Sequence, residues 1–227
     1  MVLTLLLLVL APLSVVATLS DVRVTFLVYH LGFCLILPLA HSLATGRGLR
    51  GHGRFVGFDA PSRRSVLEGA ATGLLLGGGV VAFFALGGSA VLEPGRVAST
   101  MAAWGVDAGE KAPVIAFMLL LNGPAEELFW RGWMHRRLAD ALPRTAAFTV
   151  GTLGYASYHL VTLRALMPAA GMVALGFAAV AAAGLWWTWR RERRGDVWVP
   201  LLGHAGATVG YMVVYLGFAA DGSLPSI

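Results

Sequence analysis

Apolar positions fill most of this chain in long unbroken blocks, without the two-residue alternation of a strand or the one-sided stripe of a soluble helix. Seven such blocks stand out, at about 2–20, 24–45, 66–92, 112–136, 145–163, 165–189 and 197–219. A helix needs about 20 mainly apolar residues to cross a bilayer. The pattern therefore predicts an all-α fold, a polytopic bundle of about seven transmembrane helices. No basic residue precedes the first block, and it outlasts a signal-peptide core, so it reads as a retained helix. The stretch 93–110 reads as a short outer loop. The chain divides at about residue 110. Residues 1–110 hold N-terminal helices and loops, 111–219 a helical core with polar residues inside it, and 220–227 a short tail.

Composition narrows the class. Hydrophobic residues make up 57% of the 227 and charged residues 13%, against roughly 45–50% and about 25% in a soluble domain. A soluble enzyme, a coiled coil and a disordered tail are excluded on that ground. Cys34 is the single cysteine, so neither an intrachain disulfide nor a multi-cysteine zinc site can form. The basic excess consists of sixteen arginines and Lys111. In a membrane protein this reads as topology, not as affinity for nucleic acid. Thirteen of the seventeen basic residues fall in 47–64, 131–144 and the run 190–194. Seven spans place all thirteen on one side, which predicts a cytoplasmic N-terminus and an outer C-terminus.

Two local patterns read as structural. Ser65-Val66-Leu67-Glu68 has the form of a capping box opening the third span. Gly69, Gly73 and Gly77, with Gly206 and Gly210, form small-residue faces of the kind that let membrane helices approach closely.

The chemistry begins after Lys111. The apolar run 112–121 is too short to span and must continue to about Trp133. That carries Glu126, Glu127 and Arg131 into the membrane, where ionised groups cost at least about 2.5–3.5 kcal/mol each and normally serve function. Gly123-Pro124 predicts a kink one turn before the acids. Glu127 and Arg131, four apart, share a face and form an expected structural ion pair. Glu126 points about 100° away and is flanked on its helix face by Phe129 and Trp130, three and four residues on, which desolvate it and poise it as a general base. On the fifth span Tyr155 and His159 share a face, and on the seventh His204 and Thr208 do.

One carboxylate, two imidazoles and a hydroxyl suggest a water-activating site. Glu126 and His159 would hold and deprotonate a water, while His204 and Thr208 would donate to a developing oxyanion. Glu126, His159 and His204 could equally bind a zinc ion with one open position; spacing leaves both readings open. His30 and His41 have no acidic partner in nearby sequence, and His52 and His135 fall in or beside basic loops, so all four are weaker candidates. No H-E-x-x-H, G-x-S-x-G or Walker motif occurs.

Glu126-Glu127-x-x-x-Arg131-Gly132, then Tyr155-x-x-x-His159, then Trp198-x-Pro200-x-x-x-His204 resembles the CPBP family, the CAAX-processing and bacteriocin-processing (Abi) intramembrane proteases. The resemblance covers about 112–215 and implies a four-helix catalytic core. It implies a glutamate-dependent endopeptidase in which Glu126 and His159 activate water and His204 joins the oxyanion hole. The family was named as metalloproteases; a metal-free glutamate mechanism is the favoured reading, with a divalent metal such as zinc as the alternative. Two positions depart from the family pattern: Tyr155 replaces the usual Phe, and Thr208 replaces the usual Asn, a shorter donor. The expected partners are the lipid bilayer and a membrane-associated protein or peptide substrate, with no nucleic acid. The composition resembles a bacterial member of the inner membrane. The alternatives are a non-catalytic immunity or scaffolding protein that kept the fold, and a transporter, which would show symmetry between halves.

Overall fold

The computed structural model describes residues 2–87, 92–106 and 109–220, with side chains as far as 217. All of the described secondary structure is helical. The helices are α1 (Val2–Thr18), α2 (Val22–Ala44), α3 (Gly48–Val56), α4 (Arg63–Gly87), α5 (Pro94–Ala103), α6 (Lys111–Ala139), α7 (Arg144–Ser157), α8 (His159–Leu166), α9 (Ala170–Arg194) and α10 (Trp198–Ala220). Among the described residues, five helices are long and apolar enough to cross a membrane: α2, α4, α6, α9 and, over Trp198–Gly217, α10. This is an integral membrane protein. The expected first span is a shorter apolar helix, and the expected fifth is the pair α7 and α8, which meet at Tyr158. Residues 221–227 of the expected tail lie outside the described residues.

Several local expectations need correction. The basic stretch between the second and third apolar blocks, 46–65, contains α3, and the expected loop 93–110 contains α5. Arg96 ties α5 down by donating to the backbone oxygens of Arg164 and Ala165. The sixth span starts five residues later than its apolar block, because Pro168 forces Met167 into extended backbone (φ −101°, ψ 131°). Its arginines belong to the last turns of α9 rather than to a loop, and the helix stops at Gly195 in the left-handed conformation. Ser65 does not open α4. The Ser62 hydroxyl accepts from the Ser65 N–H, while Glu68 pairs with Arg190 and Arg194 of α9.

The helical backbone continues through Gly123 and Pro124 inside α6. The wide π-helical turn at Met118–Asn122 accommodates the proline, which has no N–H to give. A second wide stretch covers Leu128–Met134, and a third covers Phe26–Ile36 in α2.

Apolar burial does not drive helix association within lipid, so close backbone contact has to. The glycines supply it. Gly69, Gly73 and Gly77 of α4 face Leu202, Gly206 and Gly210 of α10, and a Cβ on Gly206 would lie 2.3 Å from the Gly73 Cα. The main core joins both parts of the chain. Leu7, Ala11, Tyr29, Cys34 and Val56 pack with Phe129, Trp133, Met134, Tyr155 and Trp187. Polar contacts gather at the two ends of the bundle. Ser65–Asp196, Arg144–Glu192 and the bond from Val197 N–H to Gly57 O lie at one end; Arg23–Glu110 and the Arg96 contacts lie at the other.

Candidate active site

Glu126 and Glu127 sit in a short α-helical segment, Gly123–Glu127, between two wide turns of α6. Wide turns of this kind re-aim side chains and occur often at functional sites. Both carboxylates are buried.

Glu127 is the hub of a fully buried chain of charges. Arg131 Nη1 donates to its Oε1 at 2.9 Å, and His204 Nδ1 lies 2.8 Å from the same oxygen. The Arg131 guanidinium lies over the Tyr155 ring at 3.9 Å and near the Trp187 ring at 5.1 Å. Trp187 in turn stacks on His204, with centroids 5.1 Å apart and planes at 12°. Gly184 leaves room for the guanidinium, since a Cβ there would stand 3.0 Å from Arg131 Nη2. Gly123 lets α10 approach closely enough for His204 to reach across, with a would-be Cβ 3.5 Å from its ring.

Glu126 points to the other side. Its Oε2 lies 3.9 Å from His204 Nε2 and has no hydrogen-bond partner among the described residues. Its Oε1 lies 3.4 Å from His30 Nε2. The Tyr158 hydroxyl faces the same carboxylate. His159 starts α8 immediately after the break at Tyr158, and its Nδ1 lies 3.1 Å from the Tyr155 carbonyl oxygen. With Nδ1–H given to that carbonyl, Nε2 keeps its lone pair. The ring is only partly buried and lies within electrostatic reach of Glu126. Thr208 is buried one turn beyond His204. Among the described residues no hydrogen bond joins His159 or Thr208 directly to Glu126. Nor do Glu126, His159 and His204, or any other three His, Cys, Asp or Glu side chains, form a group that could hold a metal ion.

The sequence reading missed His30. It is buried on α2, with Nε2 2.8 Å from Asn122 Oδ1 as well as 3.4 Å from Glu126. A histidine within an apolar block was the available signal. The acid it meets lies 96 positions away and is invisible to spacing. Tyr29 accepts a hydrogen bond from Trp130 Nε1 at 2.9 Å and packs on Tyr158. The remaining histidines lie outside the site: His41 against Trp133, His52 on Ser42, and His135 near Glu192.

No curated protein and no solved structure gives a significant match to the chain. Residues 108–210 match the family model described as type II CAAX prenyl endopeptidase Rce1-like, and that interval holds Glu126, Glu127, Arg131, His159, His204 and Thr208. Over this interval, a little under half of the chain, the protein is similar to the Rce1-like, CPBP-type CAAX endopeptidases.

Proposed function

We propose that the protein is an intramembrane endopeptidase that hydrolyses a peptide bond of a membrane-associated protein, with Glu126 as the general base. The supporting observation is a buried carboxylate that, among the described residues, no arginine neutralises: Oε1 lies 3.4 Å from His30 Nε2, while Oε2 has no hydrogen-bond partner and faces His204. A water beside Oε2 gives its proton to Glu126, while the lone pair of His159 Nε2 orients it. The water oxygen bonds to the substrate carbonyl carbon, and negative charge moves to the carbonyl oxygen. His204, its Nδ1–H fixed on Glu127, presents Nε2–H to that oxygen in its imidazolium form, with the Thr208 hydroxyl one turn away as a second donor. The C–N bond then breaks, and Glu126 returns the proton to the leaving amine. Exclusion of bulk water strengthens each of these interactions.

The test compares the termini of membrane proteins from cells that carry wild type or Glu126→Gln. Cleavage products present only with wild type, at equal abundance of the two proteins, support the reading and name the substrate. Identical termini at equal abundance overturn it.

A further inference from the structure

We infer that His30, on a helix outside the segment that matches the family, is a positioning residue for the Glu126 carboxylate. The inference rests on the proposed role of Glu126. Asn122 and Glu126 are four apart on α6 and present their oxygens to one side. A single imidazole nitrogen, His30 Nε2, stands 2.8 Å from Asn122 Oδ1 and 3.4 Å from Glu126 Oε1. Neither of those oxygens can donate, so Nε2 carries the proton and shares it between them.

The ring cannot turn away. Phe26, Tyr29 and Phe117 meet it edge-on, with centroids 5.5, 4.7 and 5.2 Å away, and Phe26 and Phe117 stack on each other at 3.8 Å. The opposite nitrogen, Nδ1, is buried without a hydrogen-bond partner among the described residues. An apolar side chain would fill this pocket without that unsatisfied atom, so packing alone does not account for a histidine here. The wide turns of α2 at Phe26–Ile36 bring His30 opposite the acids.

The consequence is a division of labour within one carboxylate. His30 fixes Oε1 and thereby sets the rotation of the group, which leaves Oε2 aimed at His204 and at the bound water. Without that bond the carboxylate can rotate. A misplacement of about 1 Å at a reacting group can cost on the order of 100-fold in rate.

The test uses purified full-length protein in detergent and a synthetic peptide spanning a bond whose cleavage in cells requires Glu126. His30→Leu keeps the bulk of the ring and loses the donor; His30→Gln keeps an N–H. The expected result is a fall in kcat of about 10- to 100-fold for His30→Leu with KM changed less than about 2-fold, and recovery to within about 5-fold of wild type in His30→Gln. Equal loss of kcat in both variants, unchanged kcat in His30→Leu, or a fall in folded protein alone, including failure of both to accumulate, overturns the inference. Glu126→Gln run alongside separates the two ideas. If it still cleaves the peptide, the reading of Glu126 falls. If it is dead while His30→Leu cleaves normally, only the role of His30 falls.

Discussion

At the scale of single residues, the site is built around two neighbouring buried glutamates with different partners. Glu127 Oε1 takes both Arg131 and His204, whereas Glu126 meets no arginine among the described residues and turns its Oε2 toward His204 Nε2. Removing one partner from a buried pair typically costs about 3–5 kcal/mol, because the other charge is stranded. Arg131→Ala is therefore expected to lower the thermal midpoint and folded yield in detergent. Arg131→Lys is expected to recover little, since a lysine lacks the flat guanidinium that lies on Tyr155. Normal stability with lost cleavage would instead mark Arg131 as a group that touches substrate. The helical spacing of 126, 127 and 131 was readable from the sequence, as was the charge they carry into an apolar block. His30 was not, because only the packing of α2 against α6 places it beside Glu126.

At the scale of elements, hydropathy located the centres of the membrane helices and misjudged what happens at their ends. Apolar content says nothing about where Pro168 turns the backbone, nor that α9 continues as a helix through its arginines to Gly195. The glycine faces were legible as a periodicity, and the structure shows what they do. On α10, Gly206 and Gly210 lie against the backbone of Gly73 and Gly77, whereas Gly78 and Gly79 on α4 face open space. Gly206→Ala is therefore expected to reduce folded yield and to disturb His204, half a turn away on the same helix. Gly79→Ala is expected to match wild type in both yield and stability. Equal behaviour of the two variants would refute close backbone packing as the basis of the α4–α10 contact.

At the scale of the whole molecule, the arginine-rich ends of α4 and α9 share one end of the bundle, and the Arg23 and Arg96 contacts share the other. The charge bias predicts that the first end faces the cytoplasm. In a Cys34→Ala background, a cysteine at Arg50 is expected to react with an impermeant maleimide only after the membrane is opened. A cysteine at Ser99 is expected to react in intact cells. The reverse pattern would invert the topology. The core includes residues from both sides of position 110, so Tyr29 and Val56 support the same interior as Trp133 and Trp187. Composition could predict a bundle, but not that its N-terminal helices complete the site.

The wide turns on either side of Glu126 and Glu127 carry one further consequence. A π turn holds one residue more than the α turn it replaces, so 118–122 and 128–134 act as stored insertions that set the angular phase of the acids against the rest of α6. Deleting Leu128 is expected to convert the second stretch into regular helix. The segment would gain better hydrogen bonds, and Arg131 would stand three residues rather than four beyond Glu127, on a regular turn in place of the wide one. Circular dichroism should report undiminished helicity in that deletion, alongside abolished cleavage. A protein more regular in its backbone would then be one that has lost the spacing of its buried ion pair.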